Sequence, residues 1–163
     1  MAFTTYLEAA NKLRSWLGDR AELNVLEGKQ ECTDDELIDY IKDAMNQINL
    51  EFEPITSFKL DTVITEPGES GFLPWSAVKL GATLQYLTSK GILSARNTLT
   101  YSDQGGVQVS NYDQYGRYVA YYNYLVNSYV KSVQQIKIRY NITQGYGGVP
   151  SPFTSNFNWS NEL

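Results

Sequence analysis

One run of this sequence constrains the fold more than any other: the tyrosine-rich stretch that follows Ser110. Counted in sevens, Tyr115, Tyr122, Tyr129 and Ile136 fall on one line of a helix, and Val119, Val126, Val133 and Tyr140 fall on a second. The two lines lie four residues apart, so they merge into one apolar-aromatic stripe at helical spacing. Ser110 and Asp113 supply the start, and at ~1.5 Å per residue the helix would span about 40 Å, long for so small a domain. Tyr112, Tyr118, Tyr121 and Tyr124 extend the aromatic surface beyond the stripe. A stripe alone is what an ordinary core helix carries, but a helix apolar around most of its circumference needs burial on most sides. Part of that burial is expected from a neighbouring subunit.

After Tyr140 the chain reads NITQGYGGVPSPFTSNFNWSNEL, with Glu162 as its only charged side chain. Such a segment makes no core of its own, yet it carries Tyr146, Phe153, Phe157 and Trp159. It reads as an extended aromatic tail over 141–163 whose rings anchor on another protein. The preceding 1–140 reads as a single helical domain.

Upstream, three further helices are signalled. Thr5 and Glu8 have capping-box spacing, Leu7, Ala10, Leu13 and Leu17 share a face, and Gly18 is a stop. Thr33 and Glu36 repeat the box, with Asp34, Asp35 and Glu36 in the first turn, where the helix dipole favours negative charge. Leu37, Ile41, Met45 or Ala44, Ile48 and Phe52 then recur at helical spacing, and Pro54 ends the run. Pro74 sits where a first helical residue would, Ala77, Leu80, Leu84 and Leu87 mark the next helix, and Lys90-Gly91 would close it. Between these helices, Phe58, Leu60, Thr62 and Ile64 alternate with Lys59, Asp61 and Val63, which predicts an extended strand-like arm over 55–71. TLTYS and VQVS flank Asp103-Gln-Gly-Gly106, a hairpin over 98–109. The fold class is therefore mainly α: a small bundle of about four helices with an arm, a short β-hairpin and an extended tail.

Charge is unevenly spread. Asp19 to Glu53 holds eleven acidic and three basic residues, whereas Lys79 to Arg139 holds seven basic and two acidic. A chain acidic on one part and basic on another can complement its own copy in a head-to-tail ring. The sequence contains no histidine, which removes the commonest general base and metal ligand. Cys32 is the only cysteine, so no intrachain disulfide or cysteine-based zinc site is expected. The N-terminal residues do not read as a secretory leader, and no apolar run approaches the ~20 residues of a membrane span.

Several constellations suggest chemistry and are better read as structure. Asp34, Asp35, Glu36, Asp39 and Asp43 could be a cation site, but dipole complementation and a solvated face account for them. Asp61, Glu66 and Glu69 could pair as acid and base, but they lie on the arm and in a Pro/Gly turn. Gly145, Gly147 and Gly148 lack the lysine of a phosphate loop. Asn141-Ile-Thr143 and Asn158-Trp-Ser160 match the glycosylation pattern by chance. Lys131, Lys137 and Arg139 could meet nucleic acid, although cations near a helix end also answer its dipole. No catalytic activity, cofactor or metal is expected.

In its order of elements the chain resembles the neck, or head-to-tail connector (adaptor), proteins of tailed bacteriophages. PWSAVKLGATLQYL and GGVQVSNYDQYGRYVAYYNYL carry the same look. The resemblance implies a virion protein, made in the host cytoplasm, that forms a ring of about twelve copies beneath the portal. Its extended segments would clasp the portal, neighbouring copies and adjacent neck or tail proteins. DNA would pass through the central channel without sequence-specific binding, and no membrane would be involved. The residues expected at partner interfaces are Tyr101, Val107 and Val109 of the hairpin, Tyr115, Tyr122 and Tyr129 of the long helix, and Tyr146, Phe153, Phe157 and Trp159. Another neck or tail completion protein, or a non-catalytic module stacking its aromatic rings on sugars, would share much of this physics.

Overall fold

Each of the first two helices opens where the sequence supplies an acceptor for its free N–H groups. In the computed structural model, Thr5 Oγ1 accepts from Glu8 N and opens α1, Tyr6–Leu17. The Glu8 carboxylate accepts from Thr4, one residue earlier than a full box requires. Gly18, at φ 71°, ends α1 in the left-handed conformation that costs glycine least. The capping box of α2, Asp34–Leu50, is complete: Thr33 Oγ1 accepts from Glu36 N, and Glu36 Oε2 accepts from Thr33 N at 2.7 Å. Then come β1 (Val63–Ile64), β2 (Leu73–Pro74), α3 (Trp75–Arg96), β3 (Thr100–Ser102), β4 (Gln108–Ser110) and α4 (Tyr112–Tyr146). The structure describes residues 3–20, 30–66, 68, 69, 71–96, 100–102, 108–110 and 112–146, with backbone only for 93–96, 100–102, 108–110, 112–115 and 146. Among these residues the fold is a small, mainly α bundle of four helices.

The helices pack as an up-and-down series. Ala44 of α2 meets Gly81 of α3 while Tyr40 meets Tyr86, so α2 and α3 run antiparallel. Gly81 lies against Tyr129 of α4 and Gly91 beside Tyr118, so α3 and α4 are antiparallel too. Gly81 is the point of closest approach: a Cβ there would stand 2.9 Å from the Ala44 Cβ and 3.0 Å from the Tyr129 ring. The core gathers Leu13, Leu37, Ile41, Ile48, Leu73, Val78, Tyr129 and Val133. These are mostly the positions that helical periodicity selects, with Leu7 an exception on the exposed side of α1.

Three boundaries differ from the sequence reading. Pro74 ends β2, and α3 starts one residue later, at Trp75. Gly91 does not cap α3, which continues to Arg96 with Gly91 beside Tyr118 of α4. α4 continues past Tyr140 to Tyr146, making a helix of 35 residues and about 52 Å, so the tail begins later than its low charge suggests. The arm is extended over much of its length but laid on the bundle. A 3₁₀ turn at Leu60–Thr62 breaks its alternation, so Leu60 and Val63 are both buried although the two-residue period puts them on opposite faces. β1 pairs parallel with β2, Val63 opposite Leu73. β3 and β4 form the expected antiparallel hairpin, with Tyr101 opposite Val109.

Two buried polar clusters tie the elements together. The Arg14 guanidinium donates to Asp19 Oδ2 at 2.7 Å, to the Cys32 carbonyl at 2.9 Å and to Asp34 Oδ1 at 2.7 Å. Asp19 in turn accepts from the backbone N–H groups of Glu31 and Cys32, binding the end of α1 to the start of α2. At the other end of α2, the Lys137 ammonium donates to the Pro54 carbonyl and Thr56 Oγ1, both at 2.7 Å, and to the Asn49 carbonyl at 3.4 Å. A cation against the last carbonyls of α2 also complements that helix's dipole. Burial lowers the Lys137 pKa, an effect Glu53 partly opposes.

Candidate functional site

The expected partner residues separate into two environments along α4. Tyr129 is core, 2 % exposed. The missing side chain of Gly81 makes room for its ring, Phe52 packs edge-on at 6.1 Å, and its hydroxyl donates to Gln47 Oε1 at 3.2 Å. Burial pushes its phenol well above the usual pKa. A residue so enclosed offers no surface to a partner, which corrects its assignment as a contact. Tyr122, one heptad earlier on the same line, is exposed, as is Val119.

The contrast follows from what reaches each ring: Gln47 near the end of α2 and Phe52 just beyond it close over Tyr129. Tyr86 donates to Glu31 Oε2 and Lys90 to the Glu31 carbonyl, so the approach to α2 sits at the level of Tyr86 to Lys90 on α3. Lys90 is in turn the level of Tyr118 on α4, since Gly91 lies beside that tyrosine. Beyond that level, α3 is the described helix that accompanies α4. Burial and the Glu31 carboxylate raise the Tyr86 phenol well above its usual pKa, and burial does the same less strongly for Tyr118.

On the outer face of α4 the exposed aromatic surface is larger. Tyr121 is 63 % and Tyr124 77 % exposed, and Ile138 and Ile142 follow on the same side. Arg117, Lys131 and Arg139 are exposed among them, and α4 carries no acidic residue after Asp113. The sequence marked Tyr121 and Tyr124 as off-stripe aromatics, and that off-stripe position is the signal of their exposure. Tyr115 and Tyr146 lie within α4, and Tyr101 and Val109 are backbone partners in the β3–β4 register. Val107, Phe153, Phe157 and Trp159 lie outside the described residues, as does most of the tail.

The chemical constellations resolve into structural roles. Among the described residues, no three His, Cys, Asp or Glu side chains converge as a cation site. Asp34 pairs with Arg14, Glu36 closes the capping box and Asp39 lies 3.4 Å from the Lys42 ammonium. Glu69 Oε2 accepts from the Thr65 and Glu66 backbone N–H groups, holding its own turn. Asp61 is exposed and lines a 550 Å³ groove with Phe3, Tyr6, Lys42, Phe58 and Lys59. Lys137 is 1 % exposed, so it cannot join Lys131 and Arg139 on a nucleic-acid face. Its place on the core arc, four residues after Val133, is the sequence signal that separates it from them.

Among the described residues, no helix is long and apolar enough to cross a membrane. A scan against protein-family models found no match, and no curated protein or solved structure matched the chain.

Proposed function

We propose that this chain is a structural assembly protein of the head-to-tail connector type. In this reading it forms a ring beneath a phage portal, joins the portal to adjacent neck or tail proteins, and surrounds a channel for DNA. It performs no catalysis and holds no cofactor. The observation that carries the reading is the exposed aromatic face of α4. Covering the open parts of Tyr121 and Tyr124 would remove roughly 250 Å² from water, about 6 kcal/mol at ~25 cal/mol/Å² before the costs of association. Aromatic rings set beside basic groups are the composition of a protein–protein contact. A sugar-stacking module would place such rings in a cleft, whereas Tyr121 and Tyr124 stand on the convex outer side of a helix. The net charge of −5 suits a channel wall that does not grip DNA.

Native mass spectrometry of the full chain at micromolar concentration, with negative-stain microscopy, tests the proposal. A closed oligomer of one stoichiometry with a central opening is expected. A Tyr121→Ser/Tyr124→Ser variant should remain folded by circular dichroism and shift toward monomer. A full chain that stays monomeric, or an oligomer indifferent to both substitutions, would refute this assembly surface.

A further inference from the structure

We infer that the outer face of α2 docks antiparallel on the outer face of α4 in a second copy of the chain, an inference that rests on the assembly reading above. Along α2, the exposed residues Asp35, Asp39, Asp43, Asn46 and Leu50 follow one another at steps of four, four, three and four. At about 100° per residue they form one outward stripe, opposite Leu37, Ile41, Ala44 and Ile48 of the core. Along α4, read from its C-terminal side, Arg139, Gln135, Lys131, Ser128 and Tyr124 follow at the same steps and are also exposed. They too form one outward stripe, opposite Tyr129, Val133 and Ile136.

Laid antiparallel, the two stripes match residue for residue. Asp35 meets Arg139, Asp39 meets Gln135, Asp43 meets Lys131, Asn46 meets Ser128, and Leu50 meets Tyr124. Acid faces base, amide or hydroxyl faces a polar partner, and the two apolar members meet each other. Leu50 is 64 % exposed and Tyr124 77 %, so the pair has apolar surface to bury. Both stripes span fifteen residue steps, about 22 Å. The charges and the apolar ends thus select the same register independently.

The occupant of each stripe is another copy because the complementary stripe is part of this molecule. The two faces are different surfaces, so the contact is heterologous: each copy offers α2 to one neighbour and α4 to another. Such a contact repeats until it closes as a ring or continues as a filament. Lys131 and Arg139 could also attract a polyanion, and the experiment separates that case.

The test uses two charge-reversed full-length chains, Lys131→Glu/Arg139→Glu and Asp35→Lys/Asp43→Lys, each checked for helical content. All four positions are exposed, so folding is expected to survive. Each variant alone should self-associate about thirtyfold more weakly than the unsubstituted chain at low salt, and mixing them should restore association in a 1:1 ratio. Raising the salt tenfold should weaken the unsubstituted assembly by roughly tenfold. A Leu50→Cys chain mixed with a Tyr124→Cys chain should form an intermolecular disulfide, and Asp35→Cys in place of Leu50→Cys should not. The buried native Cys32 does not compete.

Assembly that survives both reversals, or a mixture that fails to associate, overturns this docking mode and leaves the assembly reading standing. An unsubstituted chain that stays monomeric at low salt overturns both. A monomer that binds duplex DNA, and loses it in Lys131→Glu/Arg139→Glu, reassigns the α4 stripe to nucleic acid.

Discussion

Replacing Asp19 with alanine should destabilise the domain far more than replacing Asp34, although both carboxylates lie 2.7 Å from the same guanidinium. The side chains of Arg14 and Asp19 are 9 % and 2 % exposed, whereas that of Asp34 is 55 % exposed. Breaking a buried pair by removing one partner costs about 3–5 kcal/mol, because the remaining charge stays out of water uncompensated. Two features adjust that figure here. Asp34 and the Cys32 carbonyl still hold Arg14, which lowers the cost. Against that, the Glu31 and Cys32 N–H groups lose their acceptor, which raises it. A loss of about 3 kcal/mol is expected for Asp19→Ala, and under about 1 kcal/mol for Asp34→Ala, whose pair is largely solvated. Urea titration followed by far-ultraviolet circular dichroism measures both. With a slope of about 2 kcal/mol/M, Asp19→Ala should lower the midpoint by roughly 1.5 M with the slope unchanged. In a thermal melt the same loss should lower Tm by about 9 °C. A double-mutant cycle with Arg14→Ala should give a coupling of about 2 kcal/mol. Equal, small losses for Asp19→Ala and Asp34→Ala would refute the argument that burial sets the strength of this junction.

Two further outcomes follow from close packing elsewhere. Gly81→Ala should destabilise by about 1 kcal/mol even though alanine favours a helix by a similar amount, because its methyl would meet Ala44 and Tyr129 at 2.9–3.0 Å. Ala44→Gly in that background should recover part of the loss in denaturant titrations, and a more stable Gly81→Ala chain would contradict the packing. The Cys32 thiol is pushed up to about 11 by burial, with Lys90 opposing and Asp19 reinforcing, against an ordinary value of 9.0. Its alkylation by iodoacetamide at pH 8 should run about a hundredfold slower in the folded protein than in urea, since the thiolate is the reactive form. The folded chain also keeps a proton that the unfolded chain releases, so this group's contribution to stability is present below pH 9 and lost as pH rises toward 11. Removal of that slope by Cys32→Ala is the check.

What the sequence determined by itself is the local part of this fold. The Thr33–Glu36 box and the Gly18 cap are set by side chains within a few residues of the backbone groups they serve, so spacing reveals them. The cores of α1 to α4 were legible for the same reason, because periodicity is a property of neighbours along the chain. So was the pairing of β3 with β4, two short alternating segments close together along the chain. What only the tertiary structure decided is where each periodic stripe finds cover. Tyr129 and Tyr122 lie one heptad apart on a single line, yet the first is core and the second open, because Gln47 and Phe52 close over the first. Arg14 and Lys137 are charged residues on core-facing arcs, and only the arrival of Asp19, Pro54 and Thr56 from elsewhere makes their burial affordable. The candidate docking stripes show the same division: spacing along α2 and α4 is written in the sequence, but which face remains outside is fixed by how the helices pack against one another.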